Sequence, residues 1–239
     1  MLDTIDSTSS ELLRRAASTD IHRHLLAAQR QTAGRGRHGR RWYALAGGSL
    51  TFSLGWRFEH GAERLGGLSL AIGVALARAL DALGYRGIEL KWPNDLMHGG
   101  RKLGGVLVES TGSARGPTRA VVGVGLNVRI PASMHRQVAA PISDLASIDN
   151  VARLDRNVLL GRLAAALATS LARYSAEGFA AFHAEWDELD ALRNQPVEVL
   201  LPDGRVLCGV AAGVDGDGAL LVERSGQRVR CLSGEVSVR

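Results

Sequence analysis

Beyond Asn194-Gln195-Pro196 the hydrophobic pattern of this 239-residue chain changes, and the change restricts the folds open to it. From there on the apolar residues come in short runs, VEVLL, RVLCGVAAGV, ALLVE and RVRCL. Turns at Pro202-Asp203-Gly204, Asp215-Gly216-Asp217-Gly218 and Ser225-Gly226 cut these runs apart. Strands this short, so closely spaced, point to a small SH3-like β-barrel. Upstream, strand-like and helix-like segments mix. The expectation is an α+β chain: a mixed β-sheet with helices packed on it over residues 1–193, and the barrel over 194–239.

Thr8-Ser9-Ser10-Glu11 reads as a capping box opening an amphipathic helix over 8–17. A short strand is expected at 25–29. A second, at 49–56, has Leu50, Phe52 and Leu54 on one face. Residues 65–83 are apolar and alanine-rich, a helix that Gly84 stops from the C′ position. A strand at 87–92 must end at Pro93, which has no N–H for a ladder. Residues 101–109, after Gly99-Gly100, read as the return strand of a hairpin, and 120–128 as a further strand. Residues 131–148 read as loop, and 154–174 and 178–192 as helices by period.

The chemistry concentrates in Gly34-Arg35-Gly36-Arg37-His38-Gly39-Arg40-Arg41-Trp42, where glycines alternate with cations. Glycines let backbone N–H groups approach a ligand, and arginines offer fixed donor forks to phosphate or carboxylate. The loop is neither a Walker loop nor a dinucleotide fingerprint. It could close over a small anion, or act as a short arginine/glycine nucleic-acid tract. The charge distribution favours the first. The chain holds 29 basic and 24 acidic residues, a net +5, yet seven arginines and no acid lie between Ile21 and Phe58. The basic excess is local, and a nucleic-acid surface usually spreads its charge.

Only two of the 29 basic residues are lysine, Lys91 and Lys102. A chain that otherwise uses arginine and keeps these two invites a role for a compact ammonium in a tight pocket. They flank Trp92-Pro93-Asn94-Asp95 and precede Leu103-Gly104-Gly105, on two strands expected to share a tight connection. Strict alternation puts Lys102, Gly104 and Val106 on one face and Leu103, Gly105 and Leu107 on the other. Either glycine leaves space beside the strand. Pro93-Asn94-Asp95 alone is also an ordinary turn. Asn127, polar within VGVGLNV, could bond a neighbouring loop or a ligand. The seven histidines show no metal spacing, and no nucleophile–histidine–acid arrangement stands out, so electrostatic catalysis by cations is expected. No apolar run reaches the roughly 20 residues of a membrane helix. The N-terminus lacks a signal-peptide h-region, and Cys208 and Cys231 read as free thiols, so a cytoplasmic protein is expected.

Asp6-Ser7-Thr8, Gln31, GRGRHGRRW, KWPND, RKLGG, the Asn127 strand and the terminal Gly234-Glu235-Val236-Ser237 come in the order seen in bacterial biotin protein ligases, which the chain resembles over essentially its whole length. The resemblance implies a class II synthetase-like catalytic domain. Its activity is ligation: biotin is activated with ATP to biotinyl-5'-AMP and transferred to a lysine of a biotin carboxyl carrier protein, a subunit or domain of acetyl-CoA carboxylase. It implies biotin contacts by Ser7, Thr8, Ser9, Gln31, Gly34, Arg35, Gly36, Arg37, Lys102 and Gly105. ATP contacts are implied for Arg37, Arg40, Trp42, Lys91, Asn94, Lys102 and Asn127, with magnesium accompanying ATP and no certain metal ligand. Lys102, Arg35 and Arg37 carry the catalytic expectation. His38 stands where relatives often have arginine, which could make loop charge depend on pH. Many relatives carry an N-terminal DNA-binding domain. Only six residues precede Ser7 here, so no DNA partner is expected, and a homodimer stays open. The alternatives are a lipoate or octanoate ligase or transferase of the same architecture, and a nucleic-acid-binding module using the basic loop.

Overall fold

The computed structural model describes residues 1–44, 46–112, 115–131, 141–148 and 155–238. Residues 132–140 of the expected loop, and the expected helix start at Leu154, lie outside the described residues.

Seven strands build the main sheet: β1 (Leu2–Ile5), β2 (Leu25–Gln31), β3 (Ser49–Phe58), β4 (Ile88–Lys91), β5 (Asp95–His98), β6 (Arg101–Gly112) and β7 (Thr118–Asn127). Their order is β1-β2-β3-β7-β6-β5-β4; β1 runs parallel to β2 and every other pair is antiparallel, a mixed sheet. A second, five-stranded antiparallel sheet comprises β8 (Pro196–Leu200), β9 (Val206–Val214), β10 (Leu220–Arg224), β11 (Gln227–Cys231) and β12 (Glu235–Val238), ordered β11-β10-β9-β8-β12. It occupies the segment read as the small barrel.

Among the described residues four α-helices accompany the sheets: α1 (Thr8–Ala16), α2 (Leu68–Ala82), α3 (Arg156–Glu177) and α4 (His183–Leu189). Alternation sends Leu50, Phe52, Leu54 and Trp56 of β3, and Ala120, Val122, Val124 and Leu126 of β7, into one core with α2 and α3. The opposite face receives α1, whose Leu12 and Ala16 pack on Ile21 and Val121. The sheet is therefore covered unequally: the long helices seal one side, and a short one leaves room on the other. Gly84 ends α2 as expected, with φ 93° and the Tyr85 N–H donating to the Leu80 carbonyl at 3.0 Å.

Four expectations need correction. The N-cap of α1 is Ser7, one residue earlier than the capping-box reading. Ser7 is extended at φ −157°, its Oγ accepts from the Ser10 N–H at 3.3 Å, and Asp6 fixes its own N–H. Glu11 pairs instead with Arg14 and Arg15. Lys91 and Lys102 are not on adjacent strands, because β5 lies between β4 and β6. Alternation along β6 is broken: Leu96 pairs with Gly104 but Met97 with Lys102, so Leu103 is an extra, bulged residue. The 178–192 helix is shorter, a 3₁₀ turn at Phe179–Phe182 preceding α4. Strand β1 had no expectation attached; four residues, LDTI, carry too little periodicity to announce it.

Candidate functional site

A cavity of about 300 Å³ opens on the α1 side of the sheet. It is lined by the start of α1, the 35–42 loop, the β4–β5 connection, β6, β7 and the first residues of β12. Its two ends differ chemically.

One end is a wall of hydroxyls and an amide. Helix α1 starts against β3, and alternation turns Ser53 away from the apolar core toward it. Thr8 Oγ1 lies 2.7 Å and Ser9 Oγ 3.0 Å from Ser53 Oγ, and all three residues are buried. Gln31, the last residue of β2, accepts from the Thr8 N–H at 2.7 Å and from Thr8 Oγ1 at 3.1 Å through Oε1. The glycines of β7 admit this packing. A Cβ on Gly123 would stand 2.5 Å from Ser9 Oγ.

The other end is cationic. Lys102 Nζ donates to Asp95 Oδ1 at 2.6 Å across β5 and β6. The bulge at Leu103 brings Gly105 to the same face, where a Cβ would meet Lys102 Nζ and Asp95 Oδ1 at 3.5 Å. Lys91 lines the cavity beside them, and burial pushes its ammonium below the ordinary lysine value. Asp95 opposes that push and Lys102 adds to it.

The glycine/arginine loop folds as a tight hairpin over the opening. The Gly36 N–H donates to the Arg40 carbonyl at 2.8 Å and the Trp42 N–H to the Gly34 carbonyl at 2.9 Å, while His38 takes the left-handed conformation at φ 54°. Arg37 donates to the Gly234 carbonyl at 3.3 Å, and Arg40 forms an ion pair with Glu235. Both tie the loop to the second sheet. Burial pushes the Arg37 guanidinium below its ordinary value, with Asp95 and Glu235 opposing. Arg35 reaches Glu109 at 2.6 Å and Ser10 Oγ at 3.3 Å. The Trp42 ring lies on Gly125, where a Cβ would sit 2.4 Å from its Cε2, and its buried Nε1 has no partner among the described residues.

Of the residues singled out from sequence, Ser7, Thr8, Ser9, Gln31, Arg35, Gly36, Arg37, Arg40, Trp42, Lys91, Asn94, Lys102 and Gly105 line this cavity together, as does His38. Gly34 does not line it, but a Cβ there would collide with the Trp42 carbonyl at 2.4 Å. Asn127 does not line it either. Its Nδ2 donates to the Ser143 carbonyl at 3.0 Å and the Lys102 carbonyl at 3.3 Å, holding residues 141–143 against β6. Asn94 lines the cavity while Nδ2 donates to the Val106 carbonyl at 2.7 Å. Sequence reasoning missed Ser53, Gly123 and Gly125, and named Asp95 and Glu235 only as members of the KWPND and Gly234-Glu235-Val236-Ser237 motifs, without a role for either. Alternation in SLTFSLGW and VGVGLNV carried a signal for the strand residues; the pairing of Glu235 with Arg40, 195 positions away, had none. Among the described residues no cluster of three metal-ligating side chains occurs, and no helix is long and apolar enough to cross a membrane.

Residues 2–127 match the biotin/lipoate A/B protein ligase family, and residues 194–239 the biotin protein ligase C-terminal domain. The chain is 37% identical over 242 positions to the bifunctional ligase/repressor BirA of Escherichia coli, covering all of this chain and 73% of that protein. It is 35% identical to the biotin–[acetyl-CoA-carboxylase] ligase of Mycobacterium tuberculosis, over 96% of this chain and 85% of that one. The biotin protein ligase of Aquifex aeolicus, solved in complex with biotin and ATP, superposes with a TM-score of 0.81 at 27% identity, covering 100% and 97% of the two chains. The sheet order, the two-ended cavity and these similarities agree: the chain belongs to the biotin protein ligases of the biotin/lipoate A/B protein ligase family.

Proposed function

We propose that this chain joins biotin to ATP as biotinyl-5'-AMP and passes the biotin to a lysine of a biotin carboxyl carrier protein. The observation that carries this reading is the polarity of the cavity, with a hydrogen-bonding wall of Thr8, Ser9 and Gln31 at one end and Lys91, Lys102 and Arg37 at the other. A ureido ring offers donors and an acceptor to such a wall. A dithiolane ring offers neither, which disfavours lipoate in a site of this family.

Biotin's carboxylate and the α-phosphate of ATP repel each other. Lys102, held by Asp95, together with Arg35 and Arg37 offsets that repulsion and stabilises charge on the phosphorus under attack. A carboxylate oxygen bonds to the α-phosphorus and pyrophosphate leaves. The acceptor amine then attacks the acyl carbon, its ammonium proton is lost, and AMP departs. The Arg37 and Arg40 tethers keep the loop over the mixed anhydride, which water would hydrolyse. Trp42 offers adenine a ring face and an N–H donor. Magnesium bound with ATP would supply charge neutralisation at the phosphates. Asp95 and Asn94, which line this end of the cavity, would be the oxygen donors to hold such a hard cation.

Residues 1–193 serve as the catalytic unit and 194–239 as the barrel that completes the rim through Gly234, Glu235 and Val236. The carrier, rather than DNA, is the macromolecular partner in this reading, because the loop's cations are already engaged within the protein: Arg35 pairs with Glu109, Arg40 with Glu235, and Arg37 donates to the Gly234 carbonyl. A cytoplasmic location accords with the free thiols of Cys208 and Cys231.

Incubation with ATP, magnesium and a carrier domain, with biotin and lipoate in parallel, tests the proposal by streptavidin blot and intact mass. Biotin transfer without lipoate transfer is expected. Transfer of lipoate, or of neither, overturns it, and tight salt-sensitive DNA binding in place of transfer would favour the nucleic-acid reading.

A further inference from the structure

Ser53 is fully buried in mid-β3 and does not line the cavity, yet it touches both hydroxyls of the polar wall. The bond directions follow from donor counting. Gln31 must present its oxygen to Thr8, because the Thr8 N–H donates to it at 2.7 Å. Thr8 Oγ1 lies 3.1 Å from the same oxygen, so its single hydrogen is committed there. Ser53 must then donate to Thr8 Oγ1, at 2.7 Å, and has no hydrogen left. Ser9 must donate to Ser53, at 3.0 Å. The relay runs one way, Ser9 to Ser53 to Thr8 to Gln31 Oε1.

We propose that Ser53 is a positioning residue that carries the direction fixed at Gln31 through Thr8 on to Ser9, so that the Thr8 and Ser9 hydroxyls face the cavity as acceptors while Gln31 faces it with its Nε2 donor. The ligand end seated there must supply an N–H to the hydroxyls and an acceptor to the amide. This rests on biotin being the ligand. Its ureido group meets the demand with one N–H at the hydroxyls and its carbonyl at the amide. Without Ser53 the Ser9 hydrogen is free to turn toward the ligand and Thr8 loses the donor that polarises its hydroxyl, so the wall loses its preference for a donor.

Biotin and two analogues, each methylated at one ureido nitrogen, test this with the wild-type enzyme and Ser53→Ala. The readouts are biotin Kd, ATP KM and Tm. Ser53→Ala is expected to weaken biotin about tenfold, the loss of one to two oriented hydrogen bonds, with ATP KM changed by less than about twofold. For the analogue methylated at the nitrogen facing the relay, the same substitution should cost almost nothing. Ser53→Thr, which keeps the hydroxyl, should recover biotin affinity relative to Ser53→Ala. Equal losses on biotin and both analogues, unchanged biotin affinity, or a parallel rise in biotin and ATP KM with a fallen Tm would each overturn the relay. Failure of the wild-type enzyme to bind biotin at all would overturn the ligand assignment beneath it.

Discussion

Lys102 and Gly105, three positions apart on β6, open onto the same face of the sheet because Leu103 bulges between Lys102 and Gly104. A regular strand would send them to opposite faces. The bulge lets the Lys102 ammonium meet Asp95 at 2.6 Å while the missing side chain at Gly105 leaves the adjoining space for substrate.

Replacing Lys102 therefore removes charge from the reacting centre without touching the apolar core. Lys102→Ala and Lys102→Arg should each slow adenylate formation by roughly 100-fold or more, the scale seen when one electrostatic stabiliser of a transition state is deleted. Arginine should fail as well, because it spreads its charge over a planar fork instead of holding it as a compact ammonium beside Asp95. Near-normal biotin-dependent pyrophosphate exchange by either variant would refute this assignment.

Gly125 and Gly105 are both bare, but they should fail differently. A methyl on Gly125 meets Trp42 Cε2 at 2.4 Å and must push the ring aside, whereas one on Gly105 has ordinary contacts at 3.5 Å. Gly125→Ala is expected to raise ATP KM about tenfold, consistent with losing an aromatic contact. Gly105→Val is expected to raise biotin KM with little change in Tm. Steady-state kinetics with each substrate varied in turn distinguish the two, and identical profiles would contradict the placement of Trp42.

The loop tethers predict a leak. Arg37→Gly removes the bond to the Gly234 carbonyl and a half-buried cation, so biotinyl-5'-AMP should escape faster than from the wild-type enzyme, by about tenfold or more. Chromatography of free adenylate after rapid filtration reads this directly. Glu235→Arg should leak similarly, and pairing it with Arg40→Glu should restore retention. The exposed Arg40–Glu235 pair contributes little to stability, so Tm should hardly move in either case. Retention unchanged in Arg37→Gly would show that the loop closes by other means.

How far the sequence announced this site depends on the range over which each residue acts. The glycine/arginine loop, the two lysines and Thr8 were legible because their signals are local, in composition, rarity or motif. The Leu103 bulge was not, since RKLGGV reads as regular alternation and only pairing with β5 reveals the extra residue. Ser53 sits one position from Phe52 in an evident strand, yet its task depends on α1 returning to that face. Asn127 shows the opposite case. A polar residue in an apolar strand signalled a constraint correctly, and the structure spends its amide on Lys102 and Ser143 backbone rather than on the cavity.

Asp190 gives a stability prediction away from the cavity. It joins α4 to the second sheet, its Oδ1 accepts from the Leu192 N–H at 2.9 Å, and its buried Oδ2 has no partner among the described residues. Burial pushes its carboxyl above the ordinary value, with the Leu192 bond and Arg193 opposing. The folded state thus holds the proton more tightly than the unfolded one, so this residue's contribution falls as pH rises from the ordinary carboxylate value through the raised one. Asp190→Asn should raise Tm at pH 7, and the gain should vanish near pH 4, close to the ordinary value of about 3.9. A gain that persists unchanged at pH 4 would exclude ionisation as its source.

Biotin-dependent exchange of labelled pyrophosphate into ATP measures the activation of biotin without a carrier protein. Exchange should require biotin and magnesium, should not be supported by lipoate, and should be lost in Lys102→Ala. Exchange absent with biotin, or equally strong with lipoate, would contradict that activation.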